Sequence, residues 1–240
     1  MAGALSRGHR LTCLSAAVIH GLWTPARVGG AARQIHEVSR RNAGDAPRGV
    51  VLRHLPVLRA WPDEEPVMPL EIALLHAVHC LDAESAAVLL ESALETRRLT
   101  RSQVEVVLEQ TSARRRRAIG RISPLAGSGS ETRVRRFFER RGVKVREQVR
   151  PFGAPRVDLL VGDRLIIECD SWSYHGDREA YLADRSRDQI TLSGGYLVLR
   201  LTWEDIWLHW ERTQELLTVL IRQKTHRGPR VGRRNGSPPS

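Results

Sequence analysis

Between Arg156 and Asp170 the chain reads Arg-Val-Asp-Leu-Leu-Val-Gly-Asp-Arg-Leu-Ile-Ile-Glu-Cys-Asp. This is the pattern of two short apolar strands joined by a tight Gly162-Asp163 turn. Each strand carries an acid where a core-facing apolar residue is expected: Asp158 in the first, Glu168 and Asp170 at the end of the second. A charge inside a buried strand is costly unless it is paired, hydrogen-bonded or bound to a cation. Three neighbouring carboxylates repel one another, so a hard divalent ion such as Mg²⁺ is a natural partner. Pairing of these acids with nearby arginines is the competing reading.

Strand geometry sharpens the first reading. Side chains alternate along a strand, so Glu168 and Asp170 share one face and Cys169 takes the other. The hairpin lays the Asp158 strand alongside them. A register that sets Asp158 near Glu168 lets both reach one ion, and a slip of one residue prevents it.

These acids have informative neighbours: Ser171-Trp172, His175, Asp184-Arg185-Ser186-Arg187-Asp188, and the run Gly195-Tyr196-Leu197-Val198-Leu199-Arg200-Leu201-Thr202-Trp203. Together, from about Ser128 to Arg222, they resemble the very-short-patch-repair-like endonuclease family of the PD-(D/E)xK nuclease superfamily. The resemblance implies an α/β fold with a restriction-endonuclease-like mixed sheet flanked by helices. It implies metal-dependent hydrolysis of DNA phosphodiester bonds, in repair or phage defence. Asp158, Glu168 and the Cys169 carbonyl are then expected to hold Mg²⁺. Asp170 stands where the superfamily usually carries Lys. In the repair enzyme that this sequence resembles, a His near the site takes part, so Asp170 and His175 are expected to orient water or shuttle protons. A surface turn is the other reading of His175. Glu131 opens an expected helix over 131–141, where the family places an acid near the metal. An acid set against the helix dipole explains it equally well.

A formal net charge of +11 favours an anionic partner, and DNA fits it better than a membrane. No run of about 18 apolar residues is present to span a bilayer. Arg133, Arg135, Arg136, Arg140, Arg141, Lys144, Arg146 and Arg150 form a basic stripe, offset by Glu139 and Glu147 alone. Arg133, Arg136, Arg156, Arg178, Arg185 and Arg187 are the candidate phosphate contacts. A solvated helical face is the alternative. Trp172 and Tyr174 either stack on a base or cover the sheet edge. Three widely spaced cysteines, an odd number, point to free thiols in a reducing cytoplasm.

A flexible joint at Gly127-Ser-Gly-Ser130, with Ser130 as a helix cap, separates a mostly helical region (1–127) from the nuclease-like domain (128–224). A Gly-, Pro-, Ser- and Arg-rich tail (225–240) is expected to be disordered. In the front region residues 33–48 read as basic and turn-rich, with a strand over 50–55. Helices are expected over 69–81, over 83–95, and from a Thr100 cap onward. Leu70-Glu-Ile-Ala-Leu, Cys80-Leu-Asp-Ala-Glu, Leu89-Leu-Glu-Ser-Ala-Leu94 and Leu99-Thr100 are similar to the AbiEi-type antitoxin-associated region, which implies a toxin–antitoxin protein partner. A catalytically inactive DNA-binding regulator, or an antitoxin-like protein, is accordingly the alternative function. His76, His79 and Cys80 share one helix face, but no fourth ligand lies nearby in sequence, so packing is their expected role. Farther on, the pattern predicts a helix over 177–192 and a buried strand over 196–201. Thr202 to Asp205 then caps a short helix, and a last helix over 211–222 buries Leu216, Leu217, Leu220 and Ile221.

Overall fold

A computed structural model describes residues 2–25, 34–39, 50–54, 65–151, 154–170 and 194–228, and the chain divides into two units at Pro124–Leu125. Among the described residues, no helix is long and apolar enough to cross a membrane.

Capping chemistry organises the helical part of the first unit. Asp82 accepts from the amides of Glu84 and Ser85 and starts α4 (Ala83–Glu95), which follows α3 (Leu70–Cys80). Thr100 and Gln103 form a reciprocal capping box at the start of α5 (Arg101–Glu109), and Ser112 caps α6 (Ala113–Ile119). The apolar faces of these helices meet in one core with Leu14, Ala17 and Leu22, in which Leu74, Leu89, Leu90 and Ile119 are fully buried. Each such side chain contributes roughly 1.5–3 kcal/mol through its removal from water. The basic run after α5 is partly structural. Arg115 donates from Nε to the Val78 carbonyl at 2.7 Å, and also to the Leu81 carbonyl, satisfying the end of α3.

A small sheet completes this unit. After α1 (Ala2–Ser6) come β1 (His9–Leu11), α2 (Cys13–Ile19), β2 (Ile35–Ser39) and β3 (Val51–His54), in sheet order β1-β2-β3. β1 and β2 run antiparallel, whereas β2 and β3 run parallel. The segment expected to be turn-rich therefore contains a strand. His36, Glu37, Val38 and Ser39 are buried, and Glu37 pairs with Arg7 at 2.6 Å and lies 2.8 Å from His9 Nδ1. Its polar composition hid it, because partners distant in sequence satisfy its side chains.

The second unit runs α7 (Gly129–Glu139), β4 (Val145–Val149), β5 (Val157–Val161), β6 (Leu165–Cys169), β7 (Leu197–Leu201), α8 (Trp203–Trp207) and α9 (Trp210–Arg222). The strands form one mixed sheet in order β4-β5-β6-β7, antiparallel across the first two pairings and parallel across the third. The apolar stretches of β5 and β6 are buried from Leu159 to Val161 and from Leu165 to Ile167, as a sheet covered on both faces requires. Thr202 and Asp205 form the capping box of α8. α7 is capped by Ser128, not by the expected Ser130, whose hydroxyl instead receives the Trp207 indole N–H at 2.9 Å. In α9, Leu217 is buried but the expected packing residue Leu216 is exposed, because it faces away from the stripe that carries Thr213 and Leu217.

The chain beyond α9 corrects the expected tail. Its start, 225–228, belongs to the unit: the Asp163 amide donates to the His226 carbonyl at 3.0 Å, and His226 is buried. Gly162 lies beneath this contact with φ +61°, and an added Cβ would approach the His226 carbonyl to 2.3 Å. Only glycine fits that turn. Residues 229–240 fall outside the described set.

Candidate active site

The β5–β6 ladder pairs Leu159 with Ile167 and Leu160 with Ile166, so the next step sets Asp158 opposite Glu168. The register that the shared-ion reading needs is the one formed. The Asp158 amide lies 3.3 Å from Glu168 Oε2, and the Cys169 amide donates to Asp158 Oδ2 at 2.9 Å. Across the parallel pairing Glu168 is matched with Arg200. On the other side, β4 pairs Glu147 with Leu159 and Val149 with Val157, leaving Gln148 opposite Asp158. Residues matched across neighbouring strands point to one face. Gln148, Asp158, Glu168 and Arg200 therefore form a row across the sheet.

Glu131 reaches this row from the first turn of α7. Its carboxylate accepts the Gly127 amide at 2.9 Å and the Ser128 hydroxyl at 3.1 Å. Gln148 Nε2 donates to Glu131 at 2.7 Å and to Asp158 at 3.3 Å, so one carboxamide orients two acids. Gln148 adopts φ +49°, a left-handed conformation that a side-chain-bearing residue enters at a cost of about 1–3 kcal/mol. Glu131 thus stands in the first turn of α7 and, through Gln148, is linked to Asp158.

Electrostatics follow from this crowding. Burial first, and then the charge of Asp158, push Glu168 up to about 8. The same two causes, in the same order, raise Glu131. The Cys169 thiol is raised well above its ordinary value by burial and by the surrounding Glu131, Asp158, Glu168 and Asp170. A set of oxygen donors that resists full ionisation by itself suits a hard divalent cation, which removes the repulsion.

The remaining expected residues divide. Asp170 follows β6, exposed, with its amide on the Leu201 carbonyl at 2.9 Å. Arg156 is exposed just before β5. Arg133 and Arg136 are corrections, because neither lies on an exposed phosphate-binding stripe. Arg136 is 3 % exposed. Arg133 donates to the Ile206 carbonyl at 2.8 Å with its guanidinium between the Trp207 and Trp210 rings, 4.8 and 4.6 Å from their centres. Arg135, also in that stripe, is fully buried and paired with Glu139 and Glu147. His175, Arg178, Arg185, Arg187, Trp172, Tyr174 and the expected 177–192 helix lie outside the described residues.

Two groups of residues escaped the sequence reading. Arg200 joins the row only through the β6–β7 register, for which alternation within its own strand is no guide. In the first unit Cys80, expected to pack, comes together with Cys13, His36 and His54. Its helix neighbours differ: His76 is buried and bonded to Thr12 Oγ1 at 2.6 Å, and His79 is exposed. Comparison of the chain with family models, curated proteins and solved structures finds no match.

Proposed function

We propose that the second unit is a divalent-metal-dependent endonuclease that hydrolyses DNA phosphodiester bonds. The observation that carries this reading is the opposition of Asp158 and Glu168 on adjacent strands, with Glu131 tied to them through Gln148. Asp158 and Glu168 would hold Mg²⁺, with the Cys169 carbonyl as a further oxygen donor. The ion supplies Lewis-acid polarisation of the phosphoryl oxygen and a lower pKa for water. Gln148 fixes the carboxylate orientations. Arg200, matched to Glu168, offers positive charge where the phosphate gains negative charge. Asp170, exposed at the end of β6, and His175 are the candidates for receiving a proton from water or returning one to the leaving oxygen. Exposed Arg140, Arg141, Lys144, Arg146, Arg150 and Arg156 suit sequence-independent attraction of the backbone. The +11 charge and free thiols agree with a DNA partner in a reducing cytoplasm.

Plasmid nicking with Mg²⁺ or Mn²⁺ tests this, with Asp158→Asn and Glu168→Gln beside the wild type. Cleavage by the wild type and loss in both variants, with salt-sensitive DNA binding retained, supports the reading. Equal cleavage by all three defeats it.

Asp170 in place of the usual Lys favours one second reading: a nuclease fold that binds DNA without cutting it, acting as a regulator beside an antitoxin-like front unit. Binding with no cleavage on duplex, mismatched, branched and single-stranded substrates would support it. Co-purification with a nucleotidyltransferase-like protein, without retention on DNA, would favour a toxin–antitoxin partner instead.

A further inference from the structure

Four metal-ligating side chains converge in the first unit from four elements. Cys13 opens α2, His36 lies in β2, His54 ends β3 and Cys80 ends α3. One ligand atom from each lies within 4.8 Å of every other. The parallel β2–β3 register brings the histidines together: His54 is matched with Val38, two residues beyond His36, so both imidazoles share a face. His36 Nδ1 and His54 Nε2 are 3.1 Å apart, and Cys80 Sγ is 3.9 Å from His36 Nδ1. A tetrahedral zinc site with Zn–N near 2.0 Å and Zn–S near 2.3 Å has ligand–ligand edges of about 3.3–3.8 Å. These two separations fall just either side of that range, and the whole set lies within 4.8 Å.

The surroundings are built to hold these groups. Cys13 and His36 are both 0 % exposed. Cys13 adopts φ +50°, an uncommon backbone state for a residue with a side chain. His76, one turn before Cys80, lies with its ring centre 5.2 Å from that of His54. It bonds Thr12, which immediately precedes Cys13, so a second layer links the ligands. The Thr12 amide donates to the His36 carbonyl at 2.9 Å. Cys13 lies in the apolar core and Cys80 packs against it, yet both sulfurs are unbridged and face two imidazoles, a poor choice for packing alone.

We propose that the first unit holds one Zn²⁺ through Cys13, His36, His54 and Cys80. Two sulfurs and two nitrogens in a closed tetrahedron match zinc in softness and in ligand number. With no position left for water, the role is structural: the ion ties β2 and β3 to the ends of α2 and α3. The ligands are 18 residues apart at the closest, so the site forms only in the folded unit. It is separate in residues and in donor chemistry from the carboxylate row of the second unit.

The test uses the full chain purified without added chelator. Zinc content by mass spectrometry is expected at about one equivalent per chain, as for a closed structural site. Replacement by Co²⁺ in the intact wild type should give intense tetrahedral ligand-field bands with sulfur-to-cobalt charge transfer. This spectrum needs no variant to fold. Cys13→Ser and Cys80→Ser should each lose stoichiometric zinc, while Cys169→Ser keeps it. Three results overturn the proposal: a cobalt spectrum of six-coordinate form without thiolate bands, equal zinc in wild type and Cys80→Ser, or a metal-free Cys13–Cys80 disulfide in protein from zinc-replete cells.

Discussion

The two units present polar clusters of opposite character. In the first, soft donors from four elements meet in a buried space. In the second, hard carboxylates face one another along two adjacent strands and one helix start. Among the carboxylates, burial and the charge of Asp158 raise Glu168 to about 8. The Cys/His group is close to the separations of a finished coordination shell. A preformed soft shell suits a permanent structural ion, while crowded acids at the half-exposed end of a sheet suit an exchangeable hard ion.

Exchange of the metal chemistry between the units would break this contrast, and catalysis should show the largest effect. Asp158→Asn should lower Mg²⁺-dependent nicking by at least about 10³-fold without a matching loss of DNA affinity, read by gel assay and by filter binding. Zinc removal should leave that carboxylate site chemically intact but loosen the first unit. Chelation or Cys80→Ser should lower its melting temperature by on the order of 10 °C, followed by calorimetry with and without added zinc. An unchanged first transition would remove the structural role.

Arg135 sharpens the comparison from the side of charge without metal. It is fully buried beside Glu139 and Glu147, with Glu147 Oε1 at 3.1 Å from its Nε. Arg135→Ala should destabilise the second unit by about 3–5 kcal/mol in denaturant unfolding, because it strands a buried carboxylate. A change below about 1 kcal/mol would show that the carboxylates relax by protonation alone.

Acidity should act on the two units with opposite sign. Glu168 moves from an ordinary value of 4.5 to about 8 on folding, and Glu131 moves the same way. A raised folded value means that the retained proton stabilises the fold fully below pH 4.5. That contribution is lost as pH rises through about 8. Cation-free protein should therefore show a second-unit stability that declines across this window, and Mg²⁺ or Glu168→Gln should flatten the decline. The first unit should instead weaken as pH falls, because protons compete with zinc for Cys and His. Parallel pH profiles in the two units would contradict the assignment. The smallest effect belongs to the caps: Thr100→Ala and Thr202→Ala should each cost about 1 kcal/mol, read by amide exchange in α5 and α8.

Residues whose signals are local were legible in the chain. The strand pair around Gly162, the capping residues Thr100 and Thr202, and the acids Asp158 and Glu168 all announce themselves within a few positions. Strand β2 was not legible, since Glu37 becomes acceptable in a core only beside Arg7 and His9. The basic stripe of α7 misled for the same reason. Arg133 and Arg136 read as surface charge, yet Arg136 is buried and Arg133 is half-buried against the Trp207 and Trp210 rings.

By itself the amino-acid order determined the helices and strands of the described chain that carry period and caps, and the unusual acids of the second sheet. Tertiary structure alone decided which of those acids share a row, that Arg200 flanks them, and that Cys13, His36, His54 and Cys80 meet. The physical reason is range. Hydrogen-bonded caps and side-chain alternation act over two to four residues, whereas strand register and ligand convergence depend on how distant segments close against one another.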